Sequence, residues 1–286
     1  MATLITSRDP KGMQAVRLFE DAYNKMELDG ESAQRLNENG GELQAGMTAL
    51  MEKLSSCNQF ADEEVNSGYS YPEDHRVKDI ADQVQILKSA FPELKDATYD
   101  ESIAAKLLPP NAEGWFVIPR WEKLGSMYGE AVDKVLQAIG SSRTFYNYRE
   151  GQTGPAYLRQ HSKTAEAFQK LEDEQKRHDI LIVPCQLGLR HRGRSVRRAR
   201  EIMNAGEVGL GALAVGCVLL SHPKREVRWE QLHMDCAGDE FAPDADGDFS
   251  IAPYFYFHDG GVEFDTDYGG NAIENCGSAS AFLPQS

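Results

Sequence analysis

Hydrophobic residues recur every three or four positions through the first third of the chain, as they do on helices with one buried face. Between residues 12 and 26 the repeating apolar positions are Met13, Val16, Phe19, Tyr23 and Met26. Similar stretches, ended by glycine or proline, predict further helices at residues 31–39, 43–54, 73–90 and 102–108. The pattern therefore predicts a helical region over residues 1–110.

After Pro109 and Pro110 the pattern changes to short apolar runs separated by turn residues. Strands are predicted at residues 115–118, 144–148, 179–184 and 227–235, and helices at 130–139, 162–177 and 195–220, the last broken near Gly206 or Gly209. The sequence His-Asp-Gly-Gly at 258–261 predicts the turn of a hairpin. The expected fold class is α+β: a helical region (1–110) packed on a mixed-sheet α/β domain of five or six strands (111–286).

The composition is that of a folded, acidic protein. Hydrophobic residues make up 41% and charged residues 26% of the 286 positions, which excludes a largely disordered or collagen-like chain. The formal net charge of −15 predicts a surface that repels nucleic acid and anionic membranes on average. Neither a membrane nor an extended DNA surface is therefore an expected partner, and any anion-binding site must be local.

The start of the chain and the cysteines favour a cytoplasmic protein. The first ten residues lack a basic leader followed by an apolar core, so no signal peptide is predicted. None of the five cysteines has C-x-x-C spacing, which argues against a disulfide framework and a structural zinc site. The cysteines are Cys57, Cys185, Cys217, Cys236 and Cys276. We expect reduced, mostly buried thiols.

The most concentrated positive charge lies at residues 190–200, which contain six arginines and no acid. This arginine cluster follows the strand predicted at 179–184 and leads into a helix that Ser195 can cap. Positive side chains are unfavourable at the start of a helix unless an anion lies among them, and a strand–loop–helix junction is a common phosphate site. The residues predicted to bind such an anion are Arg190, Arg192, Arg194, Ser195, Arg197 and Arg198.

Two interpretations of the arginine cluster stay open at this point. In the first, it binds a phosphate-bearing ligand, either a nucleotide or a short stretch of RNA, because guanidinium groups pair with phosphate in a bidentate manner. In the second, the protein is a non-catalytic structural or interaction protein. Its arginines then pair with acidic surfaces of the same chain, or of another subunit in a homo-oligomer. The sequence does not decide whether any reaction is catalysed.

A strongly acidic segment lies further along the chain, at residues 235–267, which contain ten acids and no lysine or arginine. Its alternating carboxylates suit a hard cation such as Mg²⁺ or Ca²⁺. The EF-hand pattern fails, because Phe249 and Phe255 occupy the positions that need glycine and glutamate. A metal loop is predicted on Asp235, Asp239, Glu240, Asp244, Asp246 and Asp248, with a metal-free Asp-rich turn as the alternative.

The two charged segments would meet if the strands at 179–184 and 231–236 were parallel neighbours. A carboxylate-held metal ion facing arginines would then suit phosphoryl transfer or phosphodiester cleavage. His233 and Asp235 would share one face of a strand, as paired ligands or as a structural hydrogen bond. The aromatic residues at 145–148 and 254–257 would present alternate rings on one face, for stacking on bases or half in the core.

Four segments, residues 114–123, 145–151, 189–201 and 236–250, together resemble an uncharacterised bacterial protein family over most of the chain. The resemblance implies a bacterial, intracellular protein and assigns no chemistry to any residue. From the residues themselves, the expected function is binding of a phosphate-bearing ligand at the arginine cluster, with metal assistance from the acidic segment. The structural role described above is the alternative.

Overall fold

The computed structural model describes residues 6–55, 58–176, 178–204 and 206–283. The chain divides into two compact units, Met1–Ser56 and Cys57–Ser286. Over the described residues it forms eight α-helices and eleven strands, which confirms the α+β fold class.

The first unit contains the helices α1 (Pro10–Lys25), α2 (Gly30–Glu38) and α3 (Gly40–Ser55). Asp29 caps α2, because its carboxylate accepts a hydrogen bond from the backbone N–H of Ser32 at 2.8 Å. The helices predicted in this part of the chain are therefore confirmed. However, no described residue of α1 or α2 is buried, so the apolar stripe of α1 stays accessible.

The second unit contains all the strands. In chain order its elements are α4 (Ile80–Ala90), β1 (Gly114–Pro119), α5 (Tyr128–Ser142), β2 (Phe145–Asn147), β3 (Leu158–Gln160), α6 (Ser162–Glu174), β4 (Ile180–Gln186), α7 (Val196–Ile202), β5 (Glu207–Gly209), α8 (Ala212–Ser221), β6 (His233–Asp235), β7 (Asp239–Phe241), β8 (Ile251–His258), β9 (Gly261–Tyr268), β10 (Cys276–Ser278) and β11 (Ser280–Phe282).

The strands form two sheets. Four of them build an antiparallel sheet in the order β1–β4–β11–β5. The other seven build a mixed sheet centred on β8, with β9 on one side and both β6 and β7 on the other. Strand β10 pairs parallel with β6, and β2 pairs parallel with β9. The sequence predicted only one sheet of five or six strands, because the three-residue strands are too short to show an apolar pattern.

Helix α8 lies at the centre of the core. Nine of its ten residues are buried, because α4, α5 and β1 pack around it. Gly216 permits the close approach of α5, since a β-carbon at this position would overlap Val135. Helix α4 therefore belongs to the second compact unit, whereas the sequence analysis grouped it with the amino-terminal helices.

The helix predicted over residues 195–220 is interrupted near Gly206 and Gly209, as the sequence indicated, but the interruption is a strand. Helix α7 ends at Ile202 and α8 begins only at Ala212, and β5 between them pairs with β11. Gly209 in β5 lies directly against the backbone of Ala237, where no β-carbon would fit. The glycines thus allow a buried strand to pass close to the neighbouring chain, rather than breaking a helix.

The hairpin predicted around residues 258–261 is confirmed. Strands β8 and β9 are joined by the two residues Asp259 and Gly260, which adopt φ values of 46° and 79°. Two positive φ angles are what a tight hairpin turn requires. The turn fixes the register of both strands along their full length.

Among the described residues, no helix is long and apolar enough to cross a bilayer.

Candidate functional site

The arginine cluster is paired with glutamates of the same chain. Nε of Arg197 lies 2.7 Å from each carboxylate oxygen of Glu63. Nε of Arg198 lies 2.5 Å from Oε1 of Glu64, and its Nη1 lies 2.8 Å from Oε2 of Glu201. These are short, charge-assisted contacts, and they involve the two arginines nearest the start of α7.

The arginines before α7 also contact oxygen atoms of their own chain. Arg190 and His191 share Glu207, whose two carboxylate oxygens lie 3.1 Å from Nε of Arg190 and 2.8 Å from Nε2 of His191. Nη1 of Arg192 donates to the backbone carbonyl of Tyr69 at 3.0 Å.

Ser195 caps α7, as predicted. Its Oγ accepts a hydrogen bond from the backbone N–H of Arg198 at 3.0 Å and donates one to Oε2 of Glu63 at 2.6 Å. Two arginines of the cluster remain. Arg194 donates to the carbonyl of Arg190 and lies 3.4 Å from a carboxylate oxygen of Glu64. Arg200 donates to the backbone carbonyls of Ala237 at 2.8 Å and Asp239 at 2.6 Å.

Glutamate side chains thus occupy the positions where the sequence predicts an anion. The hydrogen bond from Arg197 is the main reason why the pKa of Glu63 lies below its ordinary value. Glu63 and Glu64 come from the extended segment before α4, and not from the acidic segment at 235–267. The geometry favours pairing within the chain. Binding of a phosphate-bearing ligand at this place is not tested by it and stays a prediction.

The acids proposed as metal ligands lie in separate environments. The carboxylate of Asp239 accepts hydrogen bonds from Tyr128 Oη at 2.9 Å and from the backbone N–H of Ala212 at 2.6 Å. Glu240 pairs with Arg159 at 2.8 Å. These contacts anchor the start of α8 and the β3–β7 pair.

The other proposed metal ligands are distributed over a turn and a strand. Asp244, Asp246 and Asp248 are exposed, and Asp246 accepts a hydrogen bond from the backbone N–H of Asp248 at 2.9 Å, as in an Asp-rich turn. Asp235 lies in β6. Among the described residues, no group of three or more His, Cys, Asp or Glu side chains is placed to hold a metal ion. The metal site therefore also stays a prediction.

The strands that were expected to join the two charged segments are not neighbours. Strand β4 belongs to the four-stranded sheet, whereas β6 pairs with β8 and β10 in the mixed sheet. The condition for the crevice, that the two strands are parallel neighbours, is therefore not met, because β4 and β6 lie in different sheets.

The outer face of the mixed sheet collects a different set of functional groups. Tyr254 on β8 pairs with Asp265 on β9 and with Asp235 on β6, so the three side chains point to the same face. Tyr256 pairs in the same way with Glu263. The phenylalanines between these positions are buried on the opposite, inner face. The alternation thus lies half in the core and half on an acidic and aromatic surface.

A cavity of about 220 Å³ opens on this face. Carboxylate, amide and aromatic side chains line it together, and we call it the acidic–aromatic pocket. Its polar and aromatic lining residues are Trp229, His233, Asp235, Tyr254, Tyr256, Asp267, Tyr268, Asn271 and Asn275.

The aromatic wall of the pocket is preorganised by ring contacts. The ring of Trp229 lies 5.9 Å from that of Tyr256, edge to face, and the rings of Tyr254 and Tyr256 are 5.1 Å apart. His233 fixes the wall from behind, because its ring nitrogens lie 2.9 Å from Oε2 of Glu226 and 3.1 Å from the carbonyl of Trp229. The His–Asp hydrogen bond considered from the sequence is replaced by this His–Glu contact.

Asp235 is the unusual member of the pocket. Only 9% of Asp235 is exposed; no hydrogen bond from the described residues reaches its carboxyl oxygens, and these open into the cavity. Burial, followed by the charge of Asp267, raises the pKa of Asp235 to about 7, while His233 acts in the opposite direction. Asp267, in contrast, accepts hydrogen bonds from Asn271 Nδ2 at 2.8 Å and from the backbone N–H of Tyr268 at 2.7 Å.

Comparisons with protein-family models, curated proteins and solved structures return no match for this chain. The site is therefore interpreted from its own geometry and chemistry.

His233 and Asp235 were predicted from the sequence to share one strand face, whereas the alternating tyrosines were assigned to a separate stacking surface. Trp229, Tyr268, Asn271 and Asn275 were not predicted to belong to a site. The sequence contained one signal that these tyrosines and acids lie together. Counting outward from the two-residue turn at Asp259 and Gly260 pairs Tyr254 with Asp265 and Tyr256 with Glu263. The contribution of β6 and of the loop after β9 carried no such signal.

Proposed function

We propose that this protein binds a small organic cation, an alkylammonium or guanidinium group, in the acidic–aromatic pocket. The observation that supports the proposal is the carboxyl group of Asp235, which opens into the cavity beside Asp267 and has no hydrogen-bond donor among the described residues. A carboxylate that is largely shielded from water and has neither an ion pair nor a hydrogen bond is unfavourable. A cationic donor in the cavity would supply both the charge and the hydrogen bonds.

The aromatic wall suits the same ligand. The faces of tryptophan and tyrosine rings attract cations, most strongly where water is excluded. Trp229, Tyr254 and Tyr256 stand beside Asp235 and Asp267, so one cation could contact a ring face and a carboxylate at the same time. Anions such as phosphate would be repelled by these two carboxylates.

The size of the cavity limits the ligand. A volume of about 220 Å³ corresponds to roughly seven water molecules and is below the range of drug-sized ligand sites. A single amine-bearing group with a short alkyl chain fits this volume better than a nucleotide does. The asparagines Asn271 and Asn275 add amide oxygens that can accept further N–H groups.

The proposal is tested by calorimetric titration with butylamine at pH 8, with butanol as the neutral control of similar shape. We expect butylamine to bind and butanol not to bind, because only the ammonium group compensates the buried carboxylate. Asp235→Asn should weaken butylamine binding at least tenfold, since a charge-assisted hydrogen bond contributes about 1.5–3 kcal/mol.

Asp244→Asn is the matched control. Asp244 is an exposed acid in the turn before β8, and its substitution removes the same unit of charge. This variant should bind butylamine like the unmodified protein. Equal binding of butylamine and butanol, or undiminished binding by Asp235→Asn, would overturn the proposed function.

A further inference from the structure

We infer that the cation bound in the acidic–aromatic pocket is the side chain of a lysine or arginine residue in a partner polypeptide. This inference rests on the proposed function and identifies the source of the cation. It follows from the surface around the pocket, which continues as an acidic and aromatic face well beyond the cavity.

Exposed aromatic side chains are concentrated on this face. Among the described residues of the second unit, those with large exposed aromatic side chains are Tyr146 (40%), Tyr148 (57%), Trp229 (46%) and Tyr268 (50%). Trp229 and Tyr268 line the pocket itself. Soluble proteins usually expose large apolar rings in a group only where another molecule binds.

The register of the mixed sheet connects Tyr146 to the pocket. Tyr146 pairs with Glu263, and Glu263 pairs with Tyr256, so the three side chains form one row across β2, β9 and β8. The ring of Tyr146 lies over Gly261, where a β-carbon would come within 2.8 Å of it. Adjacent strands are about 4.8 Å apart, so this row places the ring of Tyr146 about two strands away from the pocket wall.

Tyr148 extends the same surface. Its backbone N–H donates to the carbonyl of Phe264 at 3.0 Å, which continues the pairing of β2 with β9, and it follows Tyr146 by two positions, so both side chains lie on the same face. The charge of Glu263, together with those of Asp259 and Asp265, raises the pKa of Tyr148. Tyr148 is therefore part of the face, although it lies just after the end of β2.

The charge of the face determines the kind of partner. Its carboxylates come from β6, from β9 and from the turn between β8 and β9: Asp259 is exposed, Asp265 and Asp267 are half-buried, and Asp235 and Glu263 lie buried beneath the surface. Arg149 lies on the same side but is paired with Asp265 at 2.7 Å. A basic polypeptide complements such a surface, whereas RNA and anionic membranes would be repelled by it.

The dimensions favour a peptide side chain over a free amine. The cavity holds one short cationic group, and the exposed rings of Tyr146 and Tyr148 lie outside it. A free amine that fills the cavity would not contact these two rings. A peptide that inserts one basic side chain would place its neighbouring residues over them, as an anchor residue in a pocket with a surrounding rim does.

The test compares two probes by calorimetric titration: butylamine, and a blocked pentapeptide of sequence Ala-Ala-Lys-Ala-Ala. A peptide with norleucine in place of lysine is the neutral control. We expect the lysine peptide to bind at least tenfold more tightly than butylamine, and the norleucine peptide to show no binding. Asp235→Asn should weaken binding of both cationic probes at least tenfold, whereas Asp244→Asn should leave it unchanged.

The rim is tested separately. Tyr146→Ala and Tyr148→Ala should each weaken the lysine peptide at least threefold and leave butylamine unchanged, because neither residue lines the cavity. Tyr23→Ala is the matched control, since Tyr23 is also exposed but belongs to the first unit.

The outcomes separate the two claims. If butylamine binds and the peptide binds no more tightly, the inference is overturned and the proposed function stands. If the norleucine peptide binds as well as the lysine peptide, insertion of a cation is overturned. If neither cationic probe binds, the proposed function fails, and the inference fails with it.

Discussion

Replacing Asp235 by asparagine should make the folded protein more stable at neutral and alkaline pH. Asparagine has nearly the same shape as aspartate but carries no charge at any pH. In the folded protein the pKa of Asp235 is raised from 3.8 to about 7, by burial and by the neighbouring charge of Asp267. The unfolded chain binds fewer protons than the folded protein between these values, so the carboxyl group lowers stability progressively as the pH rises from about 4 to 7.

The magnitude follows from the two pKa values. A rise from 3.8 to about 7 corresponds to an upper limit of about 4 kcal/mol above pH 7. Relaxation of the pocket and entry of water reduce this value, so we expect Asp235→Asn to gain about 1–3 kcal/mol at pH 8.5. Well below pH 3.8 the carboxyl group is protonated in both states and the gain vanishes, so at pH 4 the gain should already be small. Both proteins contain the other titratable groups that face the carboxyl group of Asp235, which are Asp267, His233, Tyr254 and Cys276.

The assay is urea unfolding of both proteins at pH 4, 5.5, 7 and 8.5, with the free energy of unfolding compared at each pH. Asp239, whose pKa is also raised to about 7 by burial, titrates in the same range but contributes equally to both proteins. Asp244→Asn provides the control for removal of an exposed acid and should show no such pH dependence.

A variant that is less stable than the unmodified protein at pH 8.5 would refute the reasoning. So would a difference that does not change between pH 4 and pH 8.5. Either result would mean that the carboxylate of Asp235 is stabilised in the folded protein by partners of its own, and the argument for a cationic ligand would lose its basis.

Further predictions concern the ligand, the arginine cluster and the core. Butylamine binding should weaken about tenfold per pH unit below pH 7 in calorimetric titrations, because the cation competes with the proton on Asp235; binding that is independent of pH would contradict this. Arg198→Ala should lower the free energy of unfolding by about 2 kcal/mol in urea, because it removes the guanidinium group that Glu64 and Glu201 share. We expect 10 mM phosphate to shift the melting temperatures of the unmodified protein and of Arg198→Ala equally. A larger shift for the unmodified protein would show that phosphate binds among the arginines. Gly216→Ala should destabilise the protein by about 1–3 kcal/mol, because the added methyl group overlaps α5. An unchanged midpoint of urea unfolding would contradict this, because it would mean that α5 and α8 move apart at no cost.

Much of the fold could be predicted because its signals are local. The apolar runs that became β1 and β4 are long enough to be recognised, and the positive-φ turn at Asp259 and Gly260 is encoded by the residues themselves. Strands β5, β7 and β11 could not be predicted, since each has three residues and exists only through pairing with distant strands. The sequence indicated a break in the helix near Gly206 or Gly209, but not that the strand β5 occupies the break.

The arginine cluster shows the same limit for a site. Its charge and the Ser195 cap were evident from the sequence, and so was the need for an anion. The identity of that anion was not, because Glu63 and Glu64 lie about 130 residues earlier in the chain and are brought to α7 by an extended segment.

The sequence alone determined which residues alternate between core and surface on β8 and β9, because a period of two and a two-residue turn are properties of the local chain. Only the tertiary structure placed Asp235 of β6, Trp229 and the loop after β9 around one cavity. The reason is physical: whether a carboxylate has a hydrogen-bond donor depends on the groups that surround it after folding. Those groups come from segments whose sequence patterns are unrelated.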